Sequence, residues 1–253
     1  TAKDRVISIN DPEMRHGRKT SSQKSDGYKC EIMTGGAKAS VVTGVAVDTA
    51  NTPDGEHLDD LIDQAQDNGC EIDKVYGDTA YSDFELIEKR EEKDDIEFCV
   101  KVSRPINPRG RLTKEEFDID LDTGEITCPQ GVVSTINLQK ITEKRSKTVV
   151  RFPEEECNNC PIKAECTSSE KGRTISLNAY EDRLQLEREY QKRDEFKEDY
   201  SRRANGERTI AHLTRHGARR ARYFGMAKVA WQQVMAAINH NIKTIMRFRV
   251  QHA

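Results

Sequence analysis

Between residues 26 and 49 apolar and polar positions alternate in two runs, 28–34 and 40–49, separated by Gly35-Gly36. Alternation of this kind predicts two half-buried strands, and the glycine pair predicts the hairpin turn between them. After the turn-like Asn51-Thr52-Pro53-Asp54 the period lengthens. Leu58, Leu61, Ile62 and Ala65 recur at helical spacing, and Gly69 stands where a left-handed residue would close the helix. A short apolar approach over 74–77 predicts another strand, which stops on a charged residue, Asp78. Ser82 with Glu85 reads as a capping box opening a second amphipathic helix with Phe84, Leu86 and Ile87, and 96–102 reads as the next strand. Strand, strand, helix, strand, helix, strand predicts an α/β layer with a mixed sheet.

The pattern then breaks. Residues 103–114 are rich in Pro, Gly and basic side chains, and the stretch that follows alternates around Asp122-Thr123-Gly124, predicting a short strand pair. A small separate module begins there and runs through a cysteine-rich segment to about Leu177. Beyond it, 180–200 reads as one charged helix and 228–248 as a strongly amphipathic one. The expected organisation is a core fold over 1–102, a cysteine-containing insertion over 103–177, and the helical remainder of the core over 178–253.

Charge changes the picture through its distribution. The 253 residues carry a net charge of -3, with 34% charged side chains. Yet residues 202–249 hold nine Arg and two Lys against one acid, Glu207, so that segment is +10 and the rest of the chain -13. Segregation this strong, with Tyr223, Phe224, Trp231 and Phe248 interleaved, points to a polyanionic partner. The apolar runs fall short of the roughly 18 residues of a spanning helix, and the opening TAKDRVIS is unlike a signal peptide, so a cytoplasmic location is expected. The absence of an initiator methionine leads us to expect a chain that begins partway through a longer protein.

The seven cysteines fall into two kinds. Cys30, Cys70 and Cys99 stand singly in or beside predicted elements and read as small buried hydrophobes. Cys128, Cys157, Cys160 and Cys166 lie in the insertion as C-P-Q-G, C-N-N-C-P and a further Cys. Four thiols with a C-x2-C knuckle in a reducing compartment predict a tetrahedral structural zinc site, holding together a module too small for its own core. The pair His212 and His216, four apart, lacks the Glu of an H-E-x-x-H motif and reads as part of a basic face.

Three segments carry chemistry together: Ala50-Asn51-Thr52-Pro53-Asp54, Gly77-Asp78-Thr79-Ala80-Tyr81, and YSRRANGER, in which Tyr200, Arg203 and Glu207 recur at spacings of three and four. In order and context they resemble the motifs of bacterial insertion-sequence DDE transposases of the cut-and-paste type, with a cysteine-bearing insertion between the second and third acids. The resemblance runs from the DPEMRHGRK start to the C-terminal tail. It departs at position 214, where Thr214, beside Arg215, stands in place of the signature lysine.

The resemblance implies an RNase H-like mixed sheet with flanking helices, and Mg²⁺ or Mn²⁺ held by Asp78 and Glu207 as catalytic acids. It also implies a homodimer acting on double-stranded DNA at element ends and target, bacterial and nucleoid-associated when bound. Tyr200, Arg203, Arg215, Arg219, Arg220 and Arg222 are the expected DNA contacts. The first catalytic aspartate is expected on a strand upstream of this chain, with Asp11 the candidate inside it. A catalytically inactive, zinc-stabilised DNA-binding or interaction remnant is the alternative reading.

Overall fold

A computed structural model describes residues 4–18, 22–36, 39–107, 109–137 and 148–251. The chain divides into two compact units, one formed by Thr1–Lys101 with Asp194–Ala253 and the other by Val102–Arg193.

In the first unit, β1 (Arg15–Arg18), β2 (Lys24–Gly35) and β3 (Val41–Thr49) form an antiparallel sheet in that order, with a bulge between Met33 and Thr34. α1 (Leu58–Asp67) turns Leu58, Leu61, Ile62 and Ala65 inward, as its spacing predicts. It lies tight on β3, because a Cβ on Gly44 would come within 3.1 Å of Leu61. β4 (Lys74–Gly77) and β5 (Glu97–Val100) pair in parallel across α2 (Phe84–Asp94). Leu58, Ile62, Val75 and Ile96 form the core joining these elements. The expected single mixed sheet is therefore, among the described residues, an antiparallel sheet and a separate parallel pair.

Arg90 of α2 is among the largest fully buried side chains of the described residues, at 1% exposure. Its guanidinium pairs with Asp59 and, at 2.6 and 2.8 Å, with Asp63 and Asp94, and donates to the Asp59 carbonyl at 3.0 Å. This ion cluster locks α2 onto α1. The N-cap of α2 is Asp83, which accepts from the Glu85 and Leu86 amides, and not Ser82, whose hydroxyl donates back to the Thr79 carbonyl. A carboxylate one residue nearer the helix reaches those amides, and the expected Ser82 box is corrected accordingly.

The charged stretch 180–200 is broken: α5 (Glu181–Tyr190) closes the second unit, and α6 (Asp194–Tyr200) belongs to the first. α7 (Ala204–Leu213) and α8 (Met226–Gln251) complete the first unit, with α8 packed across β3. Of the three single cysteines only Cys99 is buried; Cys30 is exposed and Cys70 half-buried.

The second unit holds an antiparallel sheet of β6 (Asp118–Ile119), β7 (Glu125–Thr127) and β8 (Val133–Thr135), a β9 (Thr148–Arg151) and β10 (Thr174–Leu177) pair, and two short helices, α3 (Glu154–Asn158) and α4 (Lys163–Cys166). Phe117, Ile126, Val150, Phe152, Ile175 and Leu177 make a buried core, with the Phe117 and Phe152 rings 5.5 Å apart. The module has a core of its own, contrary to the expectation from its size: apolar residues scattered over 60 positions converge only once the strands pair.

Candidate active site

Asp78 sits where β4 ends. Its carboxylate caps the 3₁₀ turn Thr79–Tyr81, with Oδ1 accepting from the Ala80 amide at 3.0 Å, while the Tyr81 amide closes on the Asp78 carbonyl at 3.0 Å. Gly77 before it has no room for a side chain, since a Cβ there would lie 2.7 Å from the Tyr81 Cβ and 3.2 Å from Val100. The Tyr-Gly-Asp sequence thus lets the chain turn against β5 and present the carboxylate outward, 48% exposed.

Glu207 arrives from α7, whose N-terminal residue follows a short 3₁₀ segment Ser201–Arg203. Gly206, an uncomfortable residue for a helix, lies beside β2, where a Cβ would make only an ordinary contact with the Thr34 hydroxyl at 3.4 Å. Arg203 bridges the two acids: Nη1 donates to Glu207 Oε1 at 2.6 Å and Nη2 to Asp78 Oδ2 at 3.3 Å. The structure therefore brings together Asp78, Arg203 and Glu207, separated by up to 129 positions in sequence.

Tyr200 closes α6, one 3₁₀ turn before α7, so it does not share the face of Glu207. Its ring stacks on Phe196 at 5.2 Å and 16°, with the Lys101 ammonium 4.7 Å and the Arg203 guanidinium 5.9 Å from its centre. Burial raises its pKa, the Arg203 charge opposes this, and the Asp78 carboxylate adds to the rise. The preceding Asp199 accepts from Tyr76 Oη at 2.8 Å and Lys74 Nζ at 3.0 Å, pinning α6 to β4. Burial works against the Asp199 charge, yet those bonds hold its pKa below the usual carboxylate value.

Behind Asp78 lies the Asn51–Asp54 turn. Gly55 packs so closely on the Ala80 carbonyl that a Cβ would stand 2.5 Å away, and its amide donates to Glu31 Oε1 at 3.1 Å. Glu31 is 5% exposed, and its other oxygen has no partner among the described residues. Burial raises its pKa, and the Gly55 hydrogen bond only partly offsets this. Tyr81, between these groups, has its pKa pushed up by burial and by the carboxylates of Glu31, Asp78 and Asp54. No sequence signal marked Glu31, since a lone acid in an alternating strand reads as an outward-facing residue.

Asp11, the candidate first acid, is held by a different set of contacts. It is 3% exposed and accepts from Tyr28 Oη at 2.6 Å, in a cavity whose walls include Arg219, Arg220 and Tyr223.

The predicted basic contacts Arg215, Arg219, Arg220 and Arg222 follow α7 through a wide turn broken at His216 and at Gly217, whose φ is 95°. Two buried glutamines of α8 hold that turn: Gln232 Nε2 donates to the carbonyls of Gly217 and Arg220, and Gln233 Nε2 to that of Ala218. Asn241 exchanges two hydrogen bonds of 2.8 Å with the Val42 backbone. An amphipathic reading of α8 puts polar side chains outward and misses these anchors. His212 lies 3.1 Å from His240 Nδ1, and its pKa is lowered by burial first and then by His216, His240 and nearby cations.

Cys128, Cys157, Cys160 and Cys166 all line one cavity of about 30 Å³ in the second unit. Cys157 Sγ accepts from the Arg173 amide at 3.4 Å, and burial raises the Cys166 pKa. Nevertheless, among the described residues no three His, Cys, Asp or Glu side chains are close enough together to hold a metal ion. The expected closed zinc tetrahedron is corrected to four thiols around a shared cavity. The same holds for Asp78 and Glu207, which are two carboxylates around a guanidinium and not a complete cation cage.

No helix among the described residues is long and apolar enough to cross a membrane. Searches of curated proteins and of solved structures each returned no match. Residues 127–246, just under half of the chain, match the family model described as Transposase DDE domain, and that match includes Glu207 and the basic turn. This C-terminal stretch is thus similar to the DDE domain of transposases.

Proposed function

We propose that this chain is the catalytic portion of a DNA transposase carrying out metal-dependent phosphodiester hydrolysis and strand transfer at the ends of a mobile element, with Asp78 and Glu207 as catalytic acids. The observation that carries the reading is the Arg203 fork between Asp78 and Glu207: the guanidinium stands where two acids converge on positive charge. DDE transposases use divalent metal such as Mg²⁺, which supplies the charge that activates an attacking oxygen and stabilises a leaving one. In this chain, Asp78 and Glu207 would hold it, with Arg203 releasing them and turning to a DNA phosphate. Tyr200, braced by Phe196, supports Arg203.

The fold is proposed as RNase H-like. The order hairpin, helix, β4, helix, β5 supports this. The reading of a core with an insertion is kept, and the second compact unit, Val102–Arg193, moves the end of the insertion past the expected 177. The partner is double-stranded DNA, acted on by a homodimer. Cleavage of element-end DNA by the full-length protein, with and without Mg²⁺, tests the function: metal-independent or absent cleavage by wild type would end it.

Arg215, Arg219, Arg220 and Arg222 are proposed to take DNA phosphates. Replacing Arg219, Arg220 and Arg222 together by Ala is expected to flatten the slope of log affinity against log salt by about 2.7, at roughly 0.9 per phosphate. An unchanged slope would leave these charges as a solvated face.

A further inference from the structure

We propose that a second basic site, distinct from the C-terminal arginines, binds the phosphodiester backbone of a DNA strand in the cleft between β1, the start of β2 and the Asn51–Asp54 turn. The cleft has a volume of about 550 Å³ and is walled by Arg5, Arg15, Arg18, Lys24 and Lys29 together with His16. Its one acidic wall residue, Asp54, is paired with Lys29 at 2.9 Å.

The arrangement is costly without an anion. Arg18 and Lys24 stand directly opposite each other across the β1 and β2 ladder, and no ion pair joins either to a described carboxylate. Like charges facing across an antiparallel pair destabilise it, whereas a phosphate between them converts repulsion into two charge-assisted hydrogen bonds. The wall is also fixed in place. A Cβ on Gly17 would lie 2.3 Å from the Ala50 carbonyl oxygen, so β1 is pressed against the turn, and the Ala50 amide bonds the Gly27 carbonyl at 3.0 Å.

The cleft adjoins the acids. Its Asn51–Asp54 wall continues into Gly55, which rests on Ala80, two residues beyond Asp78. The inference rests on the transposase reading for the choice of DNA, while the charge geometry is independent of catalysis.

The test is fluorescence anisotropy of the 253-residue chain with a labelled oligodeoxynucleotide, single- or double-stranded, over a salt series. Arg18→Ala with Lys24→Ala is expected to weaken binding about tenfold and to reduce the salt slope by about 1.8, two phosphates at roughly 0.9 each, whereas Arg18→Lys with Lys24→Arg keeps both. Should the double Ala variant unfold, Lys24→Gln alone is expected to lower the slope by about one. Unchanged affinity and slope would overturn the site, as would equal losses on polyglutamate, which would mark a general acidic-peptide surface. Because no cleavage is read, a failure here is separate from a failure of the catalytic assignment.

Discussion

Asp78→Asn in the full-length protein is expected to lower metal-dependent cleavage at the element ends by more than about a thousandfold, or ~4 kcal/mol of barrier, with folding and DNA binding nearly intact. The amide still accepts from the Ala80 amide and caps the Thr79–Tyr81 turn, so the local structure survives. What is lost is the charge facing Arg203, and with it half of the acid pair. Glu207→Gln is expected to act alike. A supercoiled-plasmid cleavage assay beside circular dichroism reads both halves. An Asp78→Asn protein that cleaves near normally would show that this aspartate only caps a turn.

The second large effect concerns stability. Arg90→Ala would leave Asp59, Asp63 and Asp94 crowded around a vacated guanidinium site and is expected to cost about 3 kcal/mol, because breaking a buried pair by removing one partner strands the others. Burial disfavours the Asp59 charge, but hydrogen bonds from Lys89 and Arg90 outweigh it and hold the pKa below the ordinary carboxylate value. A depressed folded-state pKa gives stability that is present above the unfolded pKa, near 3.9, and is lost as pH falls through the folded value. Wild-type stability in urea should therefore fall below about pH 4, and part of that fall should vanish in Arg90→Ala. An Arg90→Ala protein as stable as wild type at pH 7 would show the cluster to be dispensable.

Much of the frame was legible because its signals are local. The 28–34 and 40–49 alternation, the α1 spacing and the short strand ending at Asp78 need only neighbouring residues, and each element lies where the pattern places it. The Arg203 and Glu207 contact was half legible, since four-residue spacing on a helix brings them together. Asp78 as the other partner of Arg203 was readable only through family resemblance. What stayed hidden depends on tertiary packing. Nothing between Gln191 and Arg193 breaks a helix by composition, yet the chain leaves one unit for the other there. Gln232, Gln233, His240 and Asn241 look outward-facing by residue type but are drawn in by backbone groups of the basic turn and of Ser40 and Val42. Conversely, Trp231, Ile238 and Ile242 of α8 stay exposed. The thiol cavity shows the same limit: four cysteines predict a metal by chemistry, while their spacing in space is set by a core of six apolar residues that no local pattern reveals.

At the divalent-metal site proposed for Asp78 and Glu207, Arg203 is the cation this structure holds. Anomalous diffraction from crystals of this chain soaked in Mn²⁺ tests it most directly. The expected result is an anomalous peak within coordination distance of a carboxylate oxygen of both residues, with Arg203 swung away. Manganese bound elsewhere, with Arg203 still bridging the two acids, would contradict it.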